Sequence, residues 1–151
     1  MNFLIVTHVN HICKGDQYFG YGPYVGEMNI WLKYIDEVII VAPLEKDEIT
    51  PIDISYQPAR INFEPVPDFS FISLKNVLTS FFKLPVIFWK IFLAMKAADH
   101  IHLRCPGNMG LIGCFVQILF PNKIKTVKYA GNWDTKSLQP FTYRLQKWIL
   151  N

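Results

Sequence analysis

Two short apolar runs, Phe3-Leu4-Ile5-Val6-Thr7 and Val38-Ile39-Ile40-Val41-Ala42, stand on either side of one amphipathic stretch, and this arrangement constrains the chain more than any other feature. Apolar runs of that length without alternation are the mark of strands buried on both faces. Between them, Pro23 suits a first helical turn, and Val25, Met28, Leu32 and Ile35 recur at three- and four-residue spacing, which predicts a helix to about Tyr34. Strand, helix and strand in that order form a crossover unit, and its right-handedness makes the two strands parallel neighbours. The expectation is an α/β fold, a Rossmann-like parallel sheet with helices on both faces, filling residues 1–151 as one domain.

Composition narrows the partners. With 151 residues, 51% of them hydrophobic, the chain can bury one substantial core. A formal charge of +3, scattered along the sequence, does not argue for a phosphate-backbone binder, so no nucleic acid partner is expected. Cys13, Cys105 and Cys114 are an odd set without C-x-x-C spacing and read as reduced thiols of a cytosolic protein. The first residues carry no basic segment, and their apolar run is too short for a signal peptide, so a cytoplasmic location is expected. The stretch from Val77 to Met95 raises a membrane question, but Lys83, Pro85 and Lys90 cut it into pieces well short of the ~20 residues a span requires.

Further along, Val9 to Gly22 reads as a long polar, glycine-rich loop, and Glu45 to Thr50 as a charged one. Ile52, Ile54 and Tyr56, then Ile61 and Phe63, alternate with polar residues as in short or peripheral strands. Ser73 to Ala98 is predicted helical in two pieces, because Pro85 removes a backbone donor and disfavours helix at Leu84. Ile101 and Leu103 mark a strand, Met109 to Phe120 a buried helix, and Ile124 to Ala130 another strand. From Pro140 a last helix sets Phe141, Leu145, Trp148 and Ile149 on one face.

In open α/β sheets ligands collect beyond the carboxyl ends of the strands, where helix N-termini point donors into a crevice. Three segments lie there. The first holds Gly15, Gly20, Gly22 and Gly26, which either let backbone amides approach a phosphate or sugar or simply permit turns. The G-x-G-x-x-x-G spacing and the lack of an acidic residue ending the second strand disfavour a nicotinamide, and no cofactor is expected.

The second segment runs from His100 to Asn108. Arg104, with the amides of the helix opening at Gly107 and Asn108, can hold a phosphate or carboxylate; alternatively it pairs with Asp99 or Asp134. His100 and His102 share a strand face, but paired zinc-ligand spacing is lacking, so no metal site is expected. His102, near the strand end, is a candidate acid or base toward a sugar hydroxyl. The third segment, within Gly131 to Lys136, offers Gly131, Asn132, Trp133 and Asp134. That mixture of amide, indole and carboxylate suits a saccharide, and equally suits a turn with a core tryptophan.

In order, Phe3-Leu4-Ile5-Val6-Thr7-His8, a glycine-bearing loop, Val38-Ile39-Ile40-Val41-Ala42, Asp99-His100-Ile101-His102-Leu103-Arg104 and Lys128-Tyr129-Ala130-Gly131-Asn132 resemble the N-terminal domain of family-4-type retaining glycosyltransferases of GT-B fold. The resemblance covers nearly the whole chain. It implies transfer of a sugar from a nucleotide-sugar donor to a saccharide or lipid-linked acceptor, as in cell-surface polysaccharide synthesis. It places Gly15 and Asp16, in the Lys14-Gly15-Asp16 turn, near the donor diphosphate. Where the family often has a histidine contacting the transferred sugar, this chain has Ala130-Gly131-Asn132, which leaves that role to Asn132 or Asp134. The family's nucleotide-sugar domain, with its paired glutamates, does not follow Asn151, so the resemblance implies a truncated or split enzyme that is inactive alone. It also suggests peripheral contact with the inner membrane face through residues 77–96, including Phe81-Phe82-Lys83 and Trp89-Lys90. The reading from another class is a non-catalytic Rossmann-like module holding an anion with Arg104.

Overall fold

The computed structural model describes residues 1–57, 60–67, 74–132, 134 and 137–151, with the backbone alone for 74–82. Along the chain lie β1 (Asn2–Val6), β2 (His11–Lys14), β3 (Gln17–Tyr21), α1 (Gly22–Leu32), β4 (Glu37–Glu45), β5 (Asp53–Ser55) and β6 (Ile61–Val66). They are followed by α2 (Leu74–Ala97), β7 (His100–Cys105), α3 (Asn108–Val116) with a 3-10 turn at Gln117–Leu119, β8 (Ile124–Tyr129) and α4 (Phe141–Leu150).

Among the described residues the body of the sheet is a parallel run in the spatial order β6-β4-β1-β7-β8. Taken by chain position this is third, second, first, fourth, fifth, the doubly wound order of Rossmann-like folds. β1 sits in the middle, Phe3 facing Val38 on one side and His100 on the other. As the two apolar runs predict, β1 and β4 are parallel neighbours, joined through α1.

The side chains of β1 divide the core. Phe3 and Ile5, with Val38 and Ile40, pack on Tyr24, Val25, Met28 and Leu32 of α1. Leu4 and Val6, with Ile39, Val41, Ile101 and Leu103, pack on Ile87, Ile91 and Met95 of α2 and Met109 and Cys114 of α3. Each such fully buried aliphatic side chain contributes about 1.5–3 kcal/mol. α1 therefore covers one face of the sheet and α2 and α3 the other, the arrangement expected from the sequence.

Three local expectations are corrected. Val9 to Gly22 is not a loop: His11–Lys14 and Gln17–Tyr21 form an antiparallel hairpin. β2 runs parallel beside the end of β4, with His11 opposite Leu44, and β5 pairs with β3. The hairpin went unread because it lacks clean alternation. Its buried residues are His11, bonded to the Tyr56 hydroxyl at 3.0 Å, and Gly20, which packs beside the His11 imidazole. Gly22 is needed because a Cβ there would meet the Ile52 carbonyl oxygen at 2.4 Å.

Pro85 does not divide α2, which is one helix from Leu74 to Ala97. Pro85 lies on its exposed side, where helix carbonyls can turn to water. In α4, Phe141 and Trp148 are exposed and it is Gln146 that is fully buried. Leu145 and Ile149 are partly buried, with Ile149 against the α2–α3 core.

The carboxyl end of α2 is closed by a residue the periodicity does not single out. Lys123, in the turn before β8, donates through Nζ to the carbonyl oxygens of Met95 and Lys96, both at 2.7 Å, and of Ala98. A cation on these otherwise unpaired carbonyls also complements the helix dipole. Replacing Lys123 with Met keeps the stem and removes the donors. The expected loss is about 1–3 kcal/mol of unfolding free energy, to be measured by urea titration; a change within a few tenths would show that the cap is not needed.

Candidate functional site

β1 and β7 lie side by side, β7 running two residues further, and the chain then leaves them in opposite directions. After Val6 it runs into β2, the hairpin and α1; after Cys105 it turns into α3 on the other face of the sheet. This is the switch point of the doubly wound order, where a crevice opens between diverging loops.

Four residues meet there. His8 follows β1, and a Cβ at Gly107 would stand 2.7 Å from its Nδ1, so only glycine at 107 admits the imidazole in that position. Arg104, the penultimate residue of β7, lays its guanidinium over the Tyr24 ring of α1, 4.1 Å from the centroid. Its Nε is buried and unpartnered, as is the Tyr24 hydroxyl. Among the described residues Arg104 makes no ion pair. Asp99 instead accepts the Asn2 amide at 2.8 Å.

The electrostatics follow from burial and from this one cation. Burial, then the positive charge of Arg104, lowers the pKa of His8, which favours a neutral imidazole. Burial pushes the Tyr24 phenol up to about 12, so it remains protonated and able to donate. A guanidinium with a buried Nε, a phenol and a neutral imidazole suit an anionic oxygen beside a hydroxyl.

Not all the residues expected to join this site are gathered at it. Gly15, with φ of 61°, and Asp16 form the exposed tip of the β2–β3 hairpin. From the strand register the tip projects on the order of 20 Å beyond the end of β1. Gly15 is a turn glycine: nothing lies within 4 Å of where its Cβ would be.

Asn108 opens α3, but the amide just before it, Gly107 N–H, donates to Gln146 Oε1 of α4 at 3.3 Å. Arg104 and the first turn of α3 thus do not converge as a pair, since the guanidinium turns to the α1 face. Gly131 packs on Pro106 near the crevice, a Cβ there falling 3.1 Å from Pro106 Cγ. Asn132 Oδ1 accepts the Asp134 amide at 2.8 Å and Ser137 Oγ donates to the Asp134 carbonyl at 2.7 Å, which is turn geometry. The Asn132 carbonyl receives Gln139 Nε2 and Lys147 Nζ. Trp133 lies outside the described residues.

His102 is 1% exposed and bonds through Nδ1 to Thr126 Oγ1 at 2.9 Å, with His100 Nε2 on the same oxygen at 2.9 Å. Trp31 lies across it, centroid to centroid 5.3 Å, and Lys128 of β8 pairs with Glu27 of α1. A side chain so enclosed does not reach a substrate, and the histidine at the mouth of the crevice is His8. The signal for it was its position, one residue past the first strand. Cys105 and Cys114 face the opposite core, so the histidines and cysteines do not form one cluster.

No protein-family model matches the chain, and neither curated proteins nor solved structures give a significant match to it. The functional reading rests on the residues themselves.

Burial holds His102 at about pKa 4, reinforced by the charges of His100, Lys128 and Arg104, and it holds His11 at about 4 as well. The unfolded value is 6.5. Because the folded values are depressed, the unfolded chain takes up protons first, so stability is complete above about pH 6.5 and falls as pH drops toward about 4. Each buried histidine contributes up to about 3 kcal/mol of this acid sensitivity. Replacing His102 with Gln should make the urea midpoint fall less between about pH 7 and about pH 5 than it does in the parent chain. An equal fall in both proteins would remove His102 from the cause.

Proposed function

We propose that this chain forms the acceptor-side half of a GT-B glycosyltransferase, moving a sugar from a nucleotide-sugar to a saccharide or lipid-linked acceptor together with a nucleotide-sugar-binding domain. The observation that carries this reading is the switch-point crevice, where Arg104, Tyr24 and His8 meet against Gly107.

In this reading Arg104 faces negative charge developing on the donor diphosphate as the sugar leaves. A guanidinium already stacked on Tyr24 needs little rearrangement, and stabilisation by a preorganised cation is the main catalytic contribution such a half can make. The buried Nε of Arg104 and the Tyr24 hydroxyl supply donors that no described side chain takes up. His8, neutral near pH 7, accepts a hydrogen bond from a sugar hydroxyl. Asn132 and Asp134 stand at the neighbouring β8 exit and serve the acceptor or transferred sugar from its rim.

The test is nucleotide release from a panel of nucleotide-sugars, with the chain alone and with a nucleotide-sugar-binding partner domain such as the product of an adjacent reading frame. Turnover is expected only with both present. Arg104→Ala is expected to lower kcat/KM at least about tenfold, equivalent to about 1.4 kcal/mol of transition-state stabilisation, with Arg104→Lys recovering part of it. Turnover by the chain alone would overturn the need for a second domain, and full activity of Arg104→Ala would take the crevice out of the reaction.

A further inference from the structure

Among the described residues of α4, Gln146 is the one that is fully buried, although Leu145 and Ile149 beside it are aliphatic and only partly covered. Hydrophobic burial does not put a carboxamide in such a place, so its hydrogen bonds have to account for it. Nε2 donates to the Thr142 carbonyl of the same helix at 3.2 Å, a local bond. Oε1 accepts the Gly107 N–H at 3.3 Å, across 39 residues of chain. The second bond is the one that ties α4 to another part of the fold.

Gly107 is the wall on which the His8 ring rests: a Cβ there would fall 2.7 Å from Nδ1 and 3.3 Å from both Cε1 and Cγ. The position must therefore be glycine, and glycine is the residue with the most backbone freedom to lose. A side chain cannot restrain it, so the restraint comes from its two backbone groups. Its carbonyl accepts the Leu111 N–H at 2.8 Å, and its N–H is held by Gln146. Three residues on, a Cβ at Gly110 would stand 3.0 Å from Gln146 Oε1 and 2.6 Å from the Arg104 carbonyl oxygen. One carboxamide oxygen thus touches both the turn that seats His8 and the helical turn that presses on the backbone of Arg104. The next residue of α4 grips the neighbouring exit, Lys147 donating through Nζ to the Asn132 carbonyl beyond β8.

We propose that Gln146 is a positioning residue of the crevice: through the Gly107 amide it fixes the turn between β7 and α3, and with it the place of the His8 imidazole relative to the Arg104 guanidinium. It touches neither the anion nor the hydroxyl assigned to the crevice and acts only through Gly107. The inference rests on the crevice being the working site, as proposed above.

The test reads His8 itself, by NMR titration of the whole chain, with the His8 ring signal identified by its loss in His8→Gln. Burial and the charge of Arg104 hold this imidazole below 6.5, and Arg104 from β7 and the Tyr24 phenol from α1 are the titratable groups that meet it in the crevice. Gln146→Met keeps the length and loses the good acceptor. It is expected to move the His8 midpoint up toward 6.5 and to speed hydrogen exchange at the Gly107 amide at least about tenfold. Gln146→Glu, which retains an Oε acceptor, should leave that exchange within about threefold of the parent. Ile149→Ala loosens α4 on the α2–α3 core without touching the bond, so it should lower the thermal midpoint and leave the His8 midpoint where it was. An unmoved His8 midpoint in Gln146→Met would confine Gln146 to holding the helix and overturn the proposal. An equal shift in Ile149→Ala would overturn it too, by making the effect one of general stability. In the parent chain, a Gly107 amide exchanging as fast as an open one overturns it without any variant. None of these readings uses a nucleotide-sugar, so they hold or fail separately from the transfer reaction proposed above.

Discussion

Most of the structure depends on one strand being enclosed on all sides. β1 has parallel neighbours on both edges and buried side chains on both faces, Phe3 and Ile5 against α1, Leu4 and Val6 against α2 and α3. Parallel neighbours cannot be joined by a tight turn. The chain must therefore leave each carboxyl end and return over a face of the sheet, and on the two sides of β1 it does so over opposite faces. The crevice at His8 and Gly107 is a consequence of that routing, and an apolar run of five residues at the start of the sequence is what demands it.

β7 is where this scaffold turns chemical. Ile101, Leu103 and Cys105 face the α2–α3 core, whereas His100, His102 and Arg104 face α1. Burying that polar row costs free energy unless it is paired. Thr126 answers both histidines with one hydroxyl, which leaves His102 Nε2 unpartnered, and Arg104 Nε and the Tyr24 hydroxyl are unpartnered as well. Each such group costs about 1–3 kcal/mol. At Arg104 and Tyr24 two of them sit together where β1 and β7 end, so an anionic ligand that reached both would recover part of that cost. That is the physical reason for assigning the anion to Arg104 and Tyr24; the first turn of α3 already gives its Gly107 amide to Gln146.

The parallel sheet was legible because β1 and β4 are written as apolar runs and the spaced apolar residues of β7 and β8 mark two more strands, all four falling within a residue or a few of where the sequence places them. What sequence reading missed depends on contacts distant along the chain. The hairpin is held by the His11–Tyr56 bond and by Asn29, which donates to the Ser55 carbonyl and accepts the Gln57 amide, both at 3.0 Å. No local periodicity reports those pairs. Gln146 is buried because α4 delivers its amide to Gly107, against the pattern set by Phe141 and Trp148. For the site, residue type correctly singled out Arg104 but not its partner, since nothing in the sequence ties Tyr24 to a strand eighty residues away. Glycine content misled at Gly15, which serves a turn, whereas Gly107, valued for its amide, matters because it leaves room for His8.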